Sequence, residues 1–228
     1  MPIKYATSLR ATSAAAFLIV GGSYSAHAAN FVGNGGFQAP TLPTTPPRYC
    51  ISLPCNEELS PASVPPWQST VDIEIWTTGF LGVPAYEGNQ FAEVNSTGAP
   101  PLFQVITGIP AGTPLTYSFA HRGRDGNDTV KLRITDLVTS VDFVNQDFTT
   151  GNSAWSLYTA SSPFLASGNN LKFEFIPVFP TIGSGNLIDS VALTGDPPAV
   201  PGPSPLLGFG TMLGLSSRLR RRIKQSNS

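Results

Sequence analysis

Charge is scarce in this sequence: only 12% of its 228 residues are Asp, Glu, Lys or Arg. Long solvent-exposed helices are rich in Glu and Lys, so a fold built on them is excluded. Histidine and cysteine are scarcer still, at two each. His27 lies in the N-terminal segment, which leaves His121, Cys50 and Cys55 for the body of the chain. That set is too small for a zinc centre once the cysteines pair. Any Ser-His-Asp arrangement would have to use His121, and no Gly-x-Ser-x-Gly elbow surrounds a serine. Internal repeats and helix-period apolar patterns are also missing from residues 30–196. What is abundant is punctuation, with 22 Gly and 22 Pro. That composition predicts many short strands joined by turns.

The two ends differ from the middle. Lys4 and Arg10 precede an apolar run from Ala14 to Val20, and Ala26-His27-Ala28 has the small-x-small pattern of a signal-peptidase site. Residues 1–28 are therefore expected to be a signal peptide, cut after Ala28 or, as second choice, after Ala29. Five more basic residues, Arg218, Arg220, Arg221, Arg222 and Lys224, crowd the last eleven positions. Setting both ends aside leaves six basic residues against all fourteen acidic ones, a net of about −8 for the body. Phosphate backbones require a basic surface, so nucleic acid is excluded as a partner. An acidic body suits solubility, divalent cations or neutral ligands. Cys50 and Cys55, in "RYCISLPCNEE", can close a small disulfide ring in an oxidising space.

The tail, 197–228, reads as a Pro-rich linker, a short apolar segment and a basic cluster. Leu206 to Leu215 would span about 15 Å as a helix against ~30 Å of hydrocarbon, short for a membrane span alone. The arginines would hold that end in the cytoplasm. The set "PGPSPLLGFG…SRLRRRI" resembles the PEP-CTERM sorting signal of bacterial exported proteins, in its cyanobacterial variant. Pro201 and Pro203 flank Gly202 where the family has Glu. The resemblance implies transient anchoring in the membrane, recognition by an exosortase, and delivery to the cell surface.

Between the ends, two-residue alternation dominates. In "STVDIEIWTT", Val71, Ile73 and Ile75 share one face, and Asp72, Glu74 and Trp76 the other. "QFAEVNS", "PLFQVIT", "LTYSFAHR", "DTVKLRITD", "AWSLYTA", "LKFEFIPVF" and "LIDSVALTG" follow, separated by turn signals such as "RDGND" and "SGNN". With a short first strand around Phe31 to Phe37, this predicts an all-β domain over residues 30–196, an antiparallel β-sandwich. Parallel sheets would need crossover helices, and the sequence offers none.

"NGGFQ" at the start of this region and "NLIDSVALTG" at its end resemble the frame of galactose-binding-like jelly-roll carbohydrate-binding modules. The middle segments "EIWTTGFLGVPAYEGNQFAEVNS" and "FAHRGRDGNDT" are similar to a group of secreted bacterial proteins with that frame. The resemblance implies that the opening and closing strands are neighbours and that a structural Ca²⁺ sits where they meet. Gln38, in the place of the family's Glu, and Asp189 would be its ligands. "RDGND" is read as a hairpin turn rather than a calcium loop.

For a sugar, the residue types that matter are planar polar side chains and aromatic platforms. Glu87, Asn89, Gln90, Glu93 and Asn95 crowd one segment; His121, Arg122 and Arg124 end another; Trp76, Tyr86 and Trp155 could stack. The arginines could fork onto hydroxyls or onto the carboxylates of an acidic exopolysaccharide. The expected role is non-catalytic binding of polysaccharide at the cell surface or in the extracellular matrix. A structural surface protein without a defined ligand is the alternative. A glycosidase using Glu87 and Glu93 is the enzyme rival, disfavoured because a single small sandwich has few long loops to build a cleft.

Overall fold

The computed structural model describes residues 28–196 apart from 96, 97 and 182. The N-terminal segment up to residue 27 and the whole tail, including Pro201, Pro203, Arg218, Arg220, Arg221 and Arg222, lie outside the described residues. Among the described residues twelve strands form: β1 (Ala29–Asn30), β2 (Asn56–Leu59), β3 (Ile73–Thr77), β4 (Gln90–Glu93), β5 (Leu102–Ile106), β6 (Pro114–Arg122), β7 (Asp128–Asp136), β8 (Asp142–Thr150), β9 (Ser156–Thr159), β10 (Phe164–Leu165), β11 (Leu171–Phe179) and β12 (Leu187–Gly195). The larger sheet runs β10-β6-β12-β4-β3-β2, with β9 also on β6 and β1 on β12; the smaller runs β5-β11-β7-β8. Every pairing is antiparallel. The domain is the antiparallel sandwich that alternation predicts, of the jelly-roll type that the resemblance implies.

Between the sheets, alternate residues of β6, β7, β11 and β12 meet. Leu115, Phe119, Leu132, Ile134, Phe173, Phe175 and Leu193 are fully buried there. Each such side chain contributes roughly 1.5–3 kcal/mol of transfer free energy. Phe37 stacks on Trp67 with centroids 5.1 Å apart, which carries the irregular segment before β3 into the same core.

Two local expectations change. Residues Phe31–Phe37 do not extend as a strand; after β1 they turn, and the turn packs against β12. Gly35 permits the contact: a Cβ there would lie 1.9 Å from the Val191 carbonyl oxygen, while Val191 N–H donates to Gly35 O at 2.9 Å. β12 bulges at this point, between Asp189 and Ala192. In β3, moreover, both faces are buried, so Glu74 and Trp76 are not on a solvent side. The segment between β3 and β4 folds over that outer face. It lays Phe80, Val83 and Ala85 on Trp76, Phe91 and Leu187 to make a second, smaller core.

Cys50 and Cys55 are disulfide-bonded, as expected, with Cα atoms 5.2 Å apart. Sequence reasoning missed the residue that shapes this ring. The buried Glu57 carboxylate accepts the backbone N–H groups of Arg48, Tyr49 and Cys50 at 3.0, 2.9 and 2.7 Å. An irregular segment has no ladder to satisfy its backbone donors, and one carboxylate at the start of β2 satisfies three of them.

Candidate functional site

The residues expected to touch a ligand separate into three groups. The first surrounds Tyr86. Asp189, fully buried on β12, accepts the backbone N–H groups of Tyr86 and Glu87 on Oδ2, both at 2.9 Å, and that of Ser190 on Oδ1 at 2.7 Å. Burial pushes the Asp189 carboxyl up to about 6, against the pull of these N–H bonds. Glu87 accepts from the Ser190 hydroxyl at 2.7 Å. Trp155 donates its indole N–H to Pro84 O at 2.8 Å and sets its ring edge-on to Phe91. Tyr86 lies outermost, 42% exposed, edge-on to Trp155 with centroids 6.3 Å apart. Glu87 and Asn89 are exposed beside it. Gln90 belongs to the same loop but not to its surface. It is buried, spends both amide N–H donors on Phe37 O and Pro40 O, and accepts from Leu42 N–H, so it braces the backbone and does not face a ligand.

The second group is sealed under the loop. Trp76, expected as a stacking platform, is fully buried, and its indole N–H donates to Glu74 Oε1 at 2.8 Å. Glu74 and Glu93 face each other across β3 and β4 in direct register. Arg124 grips Glu93 with Nη1 at 3.0 and 3.1 Å and lies over the Trp76 ring, while Gly185 N–H donates to Glu93 at 2.6 Å. Burial, then the neighbouring Glu74 charge, push the Glu93 carboxyl up to about 8. Glu93 and Trp76 therefore organise the fold and do not reach a sugar.

The third group centres on His121, also fully buried. Its Nε2 lies 3.0 Å from Asn186 Oδ1 and its Nδ1 2.9 Å from the Thr150 hydroxyl. The Asn186 oxygen can only accept, so Nε2 carries the proton. Burial lowers the imidazole to about 4, and it is neutral at physiological pH. Arg122 is half-buried and donates Nη2 to Asn152 O at 2.6 Å, bracing the segment that leads to Trp155. Of these, Tyr86, Glu87 and Asn89 remain on the surface together. Asn186 and Glu74, which hold the buried groups, were not singled out; neither sits in a recognisable motif.

The opening and closing segments do meet, with Gln38 and Asp189 on either side of Gly36. The residues do not fit a cation there. Gln38 Nε2 donates to Gly36 O at 2.5 Å and to Gln90 O at 3.0 Å, and Oε1 accepts Asn89 N–H at 3.0 Å. These partners fix which end of the amide is nitrogen. That nitrogen faces the two carbonyl oxygens a cation would need, and both Asp189 oxygens are already taken by N–H groups. Gly88 makes the contact possible, since a Cβ on it would come within 2.8 Å of the Gln38 amide. Among the described residues no group of three or more His, Cys, Asp or Glu could hold a metal.

No protein-family model matches the sequence, and no curated protein matches it. Solved structures do resemble the fold; several are carbohydrate-binding modules, and an α-L-arabinofuranosidase is among the others. A family 61 module solved in complex with β-1,4-galactotriose is 15% identical, over 72% of this chain and 97% of that one, with a TM-score of 0.45. The C-terminal family 22 module of Clostridium thermocellum Xyn10B is 15% identical over 63% and 94%, again at 0.45. A family 4 module is 12% identical over 72% and 99%, at 0.42. At such identities and scores the description of the fold rests on the strand pairing itself.

Proposed function

We propose that this domain recognises polysaccharide without cleaving it, on an exported protein of the cell surface or extracellular matrix. The observation that carries the reading is the Tyr86 surface. An aromatic ring is held exposed by Asp189 beneath its backbone and by Trp155 at its edge, with Glu87 and Asn89 beside it. A ring in a fixed pose can cover the apolar face of a sugar at little entropic cost, and the flanking carboxylate and amide can accept and donate to hydroxyls. Catalysis is not part of the reading. Glu93 is buried against Arg124, and His121 is enclosed by Thr150 and Asn186, so neither can meet a substrate.

Export is supported by the N-terminal segment and by the disulfide, which persists outside reducing compartments. In the same reading, signal peptidase removes residues 1–28 and an exosortase-type enzyme recognises the tail. Protein recovered from the producing cells' exterior serves both tests. Its intact mass should lack residues 1–28. Tyr86→Ala should weaken binding to its polysaccharide at least ~10-fold in affinity electrophoresis with little change in melting temperature. A full-length mass, or unaltered binding by the variant, would refute the corresponding part.

The junction at Gln38 works, in this reading, without calcium. The wild-type melting temperature should not respond to EDTA or to millimolar Ca²⁺. Gln38→Glu would turn a carboxylate oxygen toward Gly36 O and Gln90 O; this repulsion should lower the melting temperature in EDTA, with Ca²⁺ restoring it. A wild type that loses stability in EDTA would contradict this.

A further inference from the structure

Both ends of the domain leave it at one place. β1 pairs with the end of β12, Ala29 against Gly195 and Asn30 against Thr194. Leu115, at the start of β6, lies beside Gly195 as well. Backbone hydrogen bonds stitch the loops together here: Gly112 N–H donates to Ala166 O, Ala166 N–H to Thr113 O, and Leu137 N–H to Asn170 O. Three loops, 107–113, 137–141 and 166–170, therefore share the end from which the chain exits.

None of the residues in these loops is charged. Nearby, Asp136 is buried, Asp142 is paired with Arg133 at 2.9 Å, and Asp196 marks the point where the tail departs. The opposite end, around the turn between β6 and β7, holds Arg122, Arg124, Asp125 and Asp128. The exit end is also apolar at its tip. Leu137, Val138 and Val141 are 46%, 72% and 53% exposed. Leu165 is exposed beside them, next to Phe164, whose ring stacks on Phe143 of β8 with centroids 5.1 Å apart. Single apolar residues scattered over a surface need no explanation, but three within five positions of one loop do. The backbone of the tip is already satisfied. Asp136 Oδ1 accepts the N–H groups of Val138 and Thr139 at 2.8 and 2.9 Å, Asp136 O accepts Ser140 N–H at 2.8 Å, and Asn170 O takes Leu137 N–H. A tip built this way can leave water without stranding the donors of residues 137–140.

We propose that this end of the sandwich docks on a lipid bilayer, with Leu137, Val138 and Val141 inserted among the headgroups, so that the Tyr86 surface faces away from the membrane. The inference rests on the export reading, with the tail as an anchor while it is attached. Leu206 follows Asp196 by ten residues, which reach at most about 35 Å. A tail seated in the bilayer therefore keeps the exit end close to it. The apolar run of the tail is short for a span, and one weak anchor gives only reversible binding; the tip supplies a second contact at high effective concentration. Asp189, which pins the Tyr86 loop, is six residues along β12 from Gly195, roughly 20 Å at strand rise. Docking at one end thus leaves the sugar-binding surface open to the exterior.

The test reconstitutes the full chain in phosphatidylcholine vesicles and follows flotation. The added fluorescence of Val138→Trp should be quenched when brominated lipids replace ordinary ones. Phe179→Trp, at the far end of β11, should not respond. Val138→Asp combined with Val141→Asp changes only exposed positions, so melting temperature and polysaccharide affinity should hold while partition into vesicles falls about 10-fold. A chain that floats with Val138→Trp unquenched overturns the docking and leaves the tail anchor standing. A chain that does not float overturns both. A dimer of the full chain that the double variant dissociates in sedimentation would overturn it too, because a second copy would then cover the tip.

Discussion

Above about pH 8, where Glu93 is ionised, replacing Arg124 with Met is expected to lower stability by about 3–5 kcal/mol, the usual cost of leaving a buried charge without its partner. The variant strands Glu93 against Glu74 in a buried space, with Gly185 N–H, at 2.6 Å, as its one remaining hydrogen-bond donor among the described residues. Glu93→Gln should be close to neutral, because the carboxyl is already raised to about 8 and largely protonated at pH 7. The double variant should recover most of what Arg124→Met loses, since it removes both ends of the pair. If the double variant were no better than Arg124→Met alone, the loss would lie in packing over the Trp76 ring rather than in the uncompensated charge.

The same carboxyl gives a pH signature whose sign is fixed. In the unfolded chain it titrates near 4.5, and in the folded one near 8, so folding takes up a proton between those values. Its contribution is fully present below about 4.5 and is lost as pH rises to about 8. His121 works in the opposite direction: lowered from 6.5 to about 4, it contributes above 6.5 and that contribution is lost as pH falls through 4. Subtracting the Glu93→Gln profile from the wild-type profile isolates the first effect. The difference should slope downward from about pH 5 to 8 and be flat above; a flat difference throughout would show that Glu93 ionises normally.

Period two was legible wherever a strand buries one face between the sheets. Val130, Leu132 and Ile134 of β7 and Phe173 and Phe175 of β11 sit as alternation requires. β8 was not legible, for two physical reasons. Gln146 breaks its apolar row, and the register shifts opposite Ile134 and Thr135. The site was harder to read because Asn, Gln, Glu and Trp suit sugars and equally suit the repair of irregular backbone. Gln90, Glu57 and Gln38 each satisfy segments with no ladder of their own. Which use applies depends on whether a distant loop covers the residue, as residues 78–89 cover Trp76, and single-strand periodicity carries no record of that.

Asp189→Ala is expected to have the largest effect on binding, although Asp189 touches no ligand. Among the described residues its carboxylate is the only acceptor for the N–H groups of both Tyr86 and Glu87, and it holds Ser190 at the bulge as well. Alanine leaves three donors to find new partners, at roughly 1–3 kcal/mol for each that stays buried; a total near 3 kcal/mol follows if the loop swings out to water. Swinging out relieves the donors but surrenders the pose of the Tyr86 ring, and the hydroxyl bond from Ser190 to Glu87 goes with it. Polysaccharide affinity at this surface should therefore fall about as far as in Tyr86→Ala, ~10-fold or more. Asp189→Asn keeps one acceptor oxygen and should fall between the two. Limited proteolysis supplies the structural readout: new cleavage within residues 84–90 in Asp189→Ala, absent from Tyr86→Ala, is what a loop pinned from beneath requires. Full affinity with an unpinned loop would mean that the exposed ring, and not its fixed pose, is all the sugar needs.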